Sequence, residues 1–149
     1  VKELRMQGAP DQRSAFFTDE KTFQVEDLLT FTKHNHLHQI SIHWLLPDWD
    51  WTLKNDTFTI TRNTHQVEIQ TSAFFPDIDL NLIPNEISVI RGGETLLGVT
   101  KNPIKGWYSP TYGVKNLAIS LTICYEVYSS LKINTIWNLI DLESRKAVK

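Results

Sequence analysis

Apolar and polar residues alternate along much of this chain. The clearest example is residues 116–128, NLAISLTICYEVY, where every odd position is apolar and the even positions are mainly small or polar. Successive side chains of a β-strand point to opposite faces of the sheet, so this pattern predicts a long strand with one buried face. Residues 36–46, HLHQISIHWLL, alternate in the same way and predict a second strand.

A hairpin follows from the same spacing. Residues 58–60 and 67–69 both alternate, and a polar turn at residues 62–65 separates them, which predicts two antiparallel strands joined by that turn. Further short strands are predicted between proline and glycine signals, near residues 86–90, 94–100 and 133–140.

Two segments are less regular. Residues 19–31 fit neither the helical nor the strand period cleanly, and they are interpreted as a strand. The charged end, residues 141–149, has little to bury and is expected to fray. Turn signals recur roughly every 8 to 12 residues, so the sequence predicts an all-β protein of about 8 to 12 strands. The expected architecture is an antiparallel β-sandwich or stacked β-sheets, forming a single domain over residues 1–140.

Composition excludes several kinds of partner. The 149-residue chain has a net charge of -2 and its Lys and Arg residues are scattered, which argues against nucleic acid and against an anionic membrane. Apolar runs are a few residues long, far short of the roughly 20 needed for a membrane-spanning helix. The single cysteine, Cys124, cannot form an internal disulfide and is expected to be a small buried thiol.

The densest polar cluster is HNHLH, in which His34, His36 and His38 are spaced by two. On an extended chain they would lie on one face about 6.6 Å apart, close enough for two of them to bind one zinc ion. The sequence identifies no third ligand, and Lys33 beside the cluster would repel a cation. We therefore expect a solvated strand entrance, with no metal and no cofactor.

The segment PDWDW, residues 47–51, alternates two tryptophans with two aspartates directly after a predicted strand. Sugar sites combine aromatic rings with carboxylates in this way, but Trp49 and Trp51 could equally pack on a neighbouring layer, which is the favoured interpretation. No nucleophile elbow, phosphate-binding loop or paired-cysteine metal motif is present, so those enzyme classes lack support.

Residues 106–113, GWYSPTYG, place a tryptophan and two tyrosines around a proline between two glycines. Together with HWLLPDWDW at residues 43–51 and RGGE at residues 91–94, in this order and spacing, this segment resembles the C-terminal β region of the heparinase II/III-like polysaccharide lyases. VEDLL at residues 25–29 is similar to a strand of the same family. Asn116 stands where the family pattern suggests a proline.

This resemblance implies that catalysis and structural support lie mostly in different parts of the parent enzyme. Members of the family carry a helical toroid N-terminal to the sheets, and the toroid supplies most groups for β-elimination from uronic acid polysaccharides. The chain would then be a C-terminal β-sheet region that supports the toroid and closes one side of the cleft for an acidic polysaccharide. The resemblance transfers no catalytic residue, implies that the isolated chain is inactive, and favours a periplasmic or secreted parent enzyme over a cytoplasmic one.

The matching residues have two interpretations. By resemblance Trp107, Tyr108, Pro110, Tyr112 and Gly113 form a corner, in which Pro110 fixes one backbone angle, Gly113 permits a positive one and the rings fill the bend. The alternative is a stand-alone carbohydrate-binding module, for which the candidate contacts are Trp49, Trp51, Trp107, Tyr108 and Tyr112. A third hypothesis is a metal-dependent enzyme centred on the three histidines.

Overall fold

The computed structural model describes residues 11–31, 35–78 and 80–146. Within these ranges the chain forms twelve strands and one short helix, which confirms the predicted all-β class. The strands are β1 (Asp11–Phe17), β2 (Thr22–Leu29), β3 (His38–Pro47), β4 (Asp50–Lys54), β5 (Thr57–Arg62), β6 (His65–Phe74), β7 (Asn81–Leu82), β8 (Glu86–Arg91), β9 (Glu94–Leu97), β10 (Trp107–Tyr108), β11 (Asn116–Val127) and β12 (Leu131–Asp141).

The strands form two antiparallel sheets, and each belongs to a separate compact unit of the chain. The seven-stranded sheet has the order β1-β2-β12-β6-β5-β4, with β7 pairing β6. Its β5–β6 hairpin is the predicted one, with Asn63 at a φ of 55° in the connecting turn. The irregular segment at residues 19–31 contains β2, so its interpretation as a strand is confirmed.

One face of the seven-stranded sheet holds the core of its unit. Val25, Ile69 and Ile133 lie on this face and are at most 3% exposed. Asp27 lies on the same face of β2 and is 2% exposed, and its carboxylate accepts two hydrogen bonds from Arg13, at 2.6 and 2.7 Å. This buried carboxylate is therefore neutralised by an arginine from the edge strand β1.

The five-stranded sheet has the order β10-β11-β8-β9, and β3 pairs β11 along its full length. The predicted RGGE turn joins β8 to β9, and Gly92 and Gly93 both have positive φ there, as a tight hairpin turn requires. The prediction of one buried face for β11 is wrong in one respect. Ser120 and Thr122, on the polar face, are only 1% and 4% exposed.

The second face of β11 is buried because a loop of the same unit lies over it. Gly106 N donates a hydrogen bond to Ser120 Oγ at 2.9 Å, and Lys105 Nζ donates one to Thr122 Oγ1 at 3.1 Å. Cys124, on the same face, is half-buried, and its Sγ lies 3.3 Å from Ser41 Oγ.

At its charged end the chain forms a five-residue helix, α1 (Leu142–Lys146), where fraying is expected from the sequence. Leu142 N donates to Thr64 O at 2.8 Å, which ties the start of α1 to the β5–β6 turn. Among the described residues, no helix has the length and apolar character required to cross a membrane.

Candidate functional site

Three of the sequence segments that carry the resemblance meet at one corner of the five-stranded sheet. The corner is defined here by the end of β3, the RGGE turn and residues 105–117. Asp48, directly after β3, accepts two hydrogen bonds from the Arg91 guanidinium, at 2.6 and 2.8 Å. The hydrogen bond from Arg91 holds the pKa of the Asp48 carboxyl below its usual value. This ion pair fastens the first segment to the second.

Gly106 fastens the third segment to the second. Its carbonyl accepts hydrogen bonds from Gly92 N at 2.8 Å and from Ala118 N at 3.0 Å. Its φ is +80°, and a Cβ there would lie 2.5 Å from Gly92 N and 2.7 Å from Ile90 O. Because these neighbours are backbone atoms, only glycine fits without moving the β8–β9 hairpin.

Trp107 packs onto this junction. Its side chain is half-buried, and Nε1 donates to Pro103 O at 3.3 Å. Its ring lies against the RGGE turn, since a Cβ on Gly92 would approach two of its ring carbons to 3.5 Å. The ammonium of Lys115 lies 4.2 Å from the ring centroid, a cation–π contact. A sugar stacked on Trp107 would have to share the ring with these neighbours.

The two tyrosines of the segment are placed differently from the tryptophan. Tyr108 is 45% exposed, and its hydroxyl accepts a hydrogen bond from Asn116 Nδ2 at 3.3 Å. Tyr112 is fully exposed, at 103%. The expectation that its ring fills the bend is therefore wrong, because the turn that carries it points the side chain into solvent.

That turn is held by its own hydrogen bonds. Ser109 Oγ lies 2.7 Å from Thr111 O and 2.6 Å from Val114 O, so its hydroxyl can donate to the carbonyl at either end of the turn. Val114 N also donates to Thr111 O, at 3.1 Å. Gly113 has a φ of +77°, but a Cβ there would meet no atom within 4 Å. Gly113 is thus required only for its positive φ. The hydrogen bonds of the turn hold the backbone that carries Tyr112.

Trp49 and Trp51 belong to the unit of the seven-stranded sheet. Both are half-buried, and the Trp51 ring stacks on Phe58, with centroids 5.5 Å apart and planes inclined by 16°. Phe58 is itself 2% exposed. Trp51 therefore packs on a ring of the adjacent strand in its own sheet, and the packing of the two tryptophans on a neighbouring layer stays a prediction.

The histidine cluster is only partly described. His34 lies outside the described residues, His36 is exposed, and His38 is half-buried at the start of β3. In the ranges that the structure covers, no three His, Cys, Asp or Glu side chains come together in a way that could hold a metal ion. Those ranges therefore supply no third metal ligand beside His36 and His38.

One polar residue of the five-stranded sheet was missed by sequence reasoning. His43 is half-buried on β3, and its Nε2 atom has no hydrogen-bond partner among the described residues. Burial lowers its pKa below the usual 6.5, and the charge of Lys105 lowers it further. Alternation does place His43 on the polar face of its strand, but no local signal showed that a loop would cover that face.

No family model matches this chain, and no curated protein matches it either. The class of this protein is therefore defined by its fold, which is all-β with two antiparallel sheets. Of the five aromatic candidates, Trp51 and Trp107 are engaged in packing, Trp49 is half-buried, and Tyr108 and Tyr112 are exposed.

Proposed function

We propose that this chain is the C-terminal β-sheet region of a heparinase II/III-like polysaccharide lyase. Its role would be to support the N-terminal helical toroid and close one side of a cleft for an acidic polysaccharide. In this proposal the full-length protein cleaves uronic acid polymers by β-elimination, and the β-sheet region is inactive alone.

The observation that carries the proposal is the meeting of the three motif segments at one corner. Asp48 of PDWDW pairs with Arg91 of RGGE, and Gly92 of RGGE bonds to Gly106 of GWYSPTYG. Asp48 and Arg91 are 43 positions apart along the chain, yet they contact one another. A shared structural purpose explains why the three segments occur together in one sequence, and the all-β class agrees with the β region of that family.

The chemistry of the corner fits a supporting role better than a catalytic one. Elimination requires neutralisation of the uronate carboxylate, a base for the adjacent carbon-bound proton and an acid for the leaving oxygen. Arg91 is committed to Asp48, and Lys105 donates to Thr122. The corner thus offers one fixed ion pair and packing, while the resemblance implies that the toroid supplies most of the catalytic groups.

A direct assay tests the proposal. The isolated chain should produce no rise in ultraviolet absorbance from unsaturated products when given heparan sulfate, alginate or another uronic acid polymer. The same chain joined to its native upstream sequence should cleave at least one of them. Cleavage by the isolated chain, or an upstream sequence without helical repeats, would refute the proposal.

The second candidate is a stand-alone carbohydrate-binding module, and the exposure of Tyr112 favours it. A fully exposed aromatic ring on a turn fixed by Ser109 loses little conformational freedom on binding. This candidate needs no partner domain, and the binding surface would be the outer side of the corner.

Calorimetric titration with oligosaccharides separates the two candidates. A binding module should lose affinity by at least about tenfold in Tyr112→Ala, and retain it in Tyr112→Phe, which keeps the ring. Tyr128, on another part of the same unit, is 57% exposed and provides the matched control through Tyr128→Ala. Absence of binding by the wild-type chain would remove this candidate.

A further inference from the structure

A row of polar side chains crosses the five-stranded sheet beneath the loop at residues 98–115. In the register of the sheet, Thr122 of β11 lies between His43 of β3 and Ser88 of β8. Directly paired residues point to the same face with Cβ atoms roughly 5 Å apart. Ser88 and Thr122 are 2% and 4% exposed. The row is therefore a polar strip inside the unit, covered by the loop.

The one cation over this strip is Lys105, within the part of the chain that the structure describes. Its Nζ donates to Thr122 Oγ1 at 3.1 Å and makes no ion pair with a described carboxylate. The direct pairing of Thr122 with His43 brings the ammonium close to the imidazole. A positive charge and a titratable ring thus share one buried strip.

The carboxylates of Glu86 and Asp48 are held by other donors. Glu86 lies one step further along β8, opposite Cys124, and its Oε1 already accepts hydrogen bonds from the Thr100 hydroxyl at 2.7 Å and from the Thr100 amide at 3.0 Å. It also accepts one from Val99 N at 3.2 Å. Asp48, directly after the C-terminal end of β3, is paired with Arg91. The neighbours of His43 along the strip are the neutral groups Ser41, Ser88, Thr122 and Cys124.

We propose that His43 and Lys105 form a pH-sensitive latch on the loop at residues 98–115. While His43 is neutral, Lys105 stays against Thr122 and Gly106 stays bonded to Ser120. Protonation of His43 places two cations on the buried strip, so Lys105 moves out to solvent and the hydrogen bond of Gly106 weakens. This inference is independent of the proposed function.

Burial and the charge of Lys105 both disfavour protonation of His43 in the folded protein. Protonated imidazole would bury a second N–H donor at Nε2, which has no described acceptor, and it would also face the Lys105 ammonium. Both effects favour neutral imidazole in the folded protein, in agreement with the lowered pKa of His43. The latch is therefore closed at neutral pH and opens as the pH falls below 6.5, through the pKa of the folded protein.

Lys105 is coupled to the corner through its own backbone. Its carbonyl accepts a hydrogen bond from Gly93 N at 2.9 Å, and the next residue, Gly106, bonds to Gly92, Ala118 and Ser120. Movement of the lysine thus acts on the point where the three segments meet. The amide of Gly106 is the natural reporter, because its hydrogen bond to Ser120 is buried.

The test is a nuclear magnetic resonance titration of the isotope-labelled chain from about pH 8 to about pH 4. The His43 ring protons should titrate with a midpoint below 6.5. Over the same transition the protection factor of the Gly106 amide, which corrects for the intrinsic pH dependence of exchange, should fall by at least about tenfold. A Gly106 protection factor that stays constant while His43 titrates would overturn the proposal.

Two variants and one control sharpen the test. His43→Gln should leave Gly106 protection constant within about twofold over the titration, whereas His36→Gln, which changes an exposed histidine, should behave as wild type. Lys105→Met should raise the pKa of His43 and reduce the change at Gly106. If His43→Gln fails to fold, the test depends on Lys105→Met alone. An unchanged midpoint of the His43 titration in Lys105→Met would refute the latch.

Discussion

The two halves of GWYSPTYG differ sharply in what they contact. In the first half, Gly106 is enclosed by backbone atoms of the β8–β9 hairpin and Trp107 packs against its turn. In the second half, Gly113 has open space around it and Tyr112 is fully exposed. The two halves of the motif therefore have different roles. The first half fixes the fold of the corner, and the second half presents a side chain to solvent.

Removing the tryptophan should have the largest effect on stability among the aromatic residues of the motif. Trp107→Ala removes the packing against the RGGE turn and the hydrogen bond to Pro103, and should reduce the free energy of unfolding by about 3 kcal/mol. Urea unfolding followed by circular dichroism measures this value. A loss below about 1 kcal/mol would mean that the first half of the motif does not hold the corner together.

A pH-dependent effect of intermediate size is expected at Asp48. Its pKa is lowered by the hydrogen bond from Arg91, so its contribution to stability is present above the ordinary value of 3.8 and is lost as the pH falls below it. The urea midpoint should drop on acidification, and it should drop less in Asp48→Asn. Because the two side chains are 42% and 31% exposed, the effect should be smaller than that of Trp107→Ala. Equal acid sensitivity of the two proteins would contradict this role for the pair.

The smallest effect on stability should come from Tyr112. Its ring is fully exposed, so Tyr112→Ala should change the free energy of unfolding by no more than about 0.5 kcal/mol. The same urea experiment gives this value. A loss comparable to that of Trp107→Ala would show that the ring packs in solution and would remove the contrast between the two halves.

Most strands could be predicted because their signals are local. The β5–β6 hairpin, the RGGE turn and the alternation of β11 each depend on residues a few positions apart. Alternation shows which side chains share a face, and it reveals nothing about a loop that crosses the other face. For that reason the burial of Ser120 and Thr122, and with it the environment of His43, could not be predicted.

The candidate site was less predictable than the strands. The Asp48–Arg91 pair joins residues 43 positions apart, and charge alone does not identify partners at that separation. The directions of Trp107 and Tyr112 depend on backbone angles at Gly106 and Gly113, which composition does not reveal. Residue types predicted a corner of aromatic side chains, but only the structure shows which rings belong to it.

The central claim is that the first half of the motif fixes the corner while the second half does not, and the two glycines test it most directly. Gly106 and Gly113 have nearly equal φ values of +80° and +77°, so alanine pays a similar backbone cost at both, about 1 kcal/mol. Only at Gly106 would the added Cβ collide with backbone atoms. Urea unfolding should therefore show Gly106→Ala to be less stable than Gly113→Ala by about 2 kcal/mol or more. Equal losses in the two variants would contradict the account.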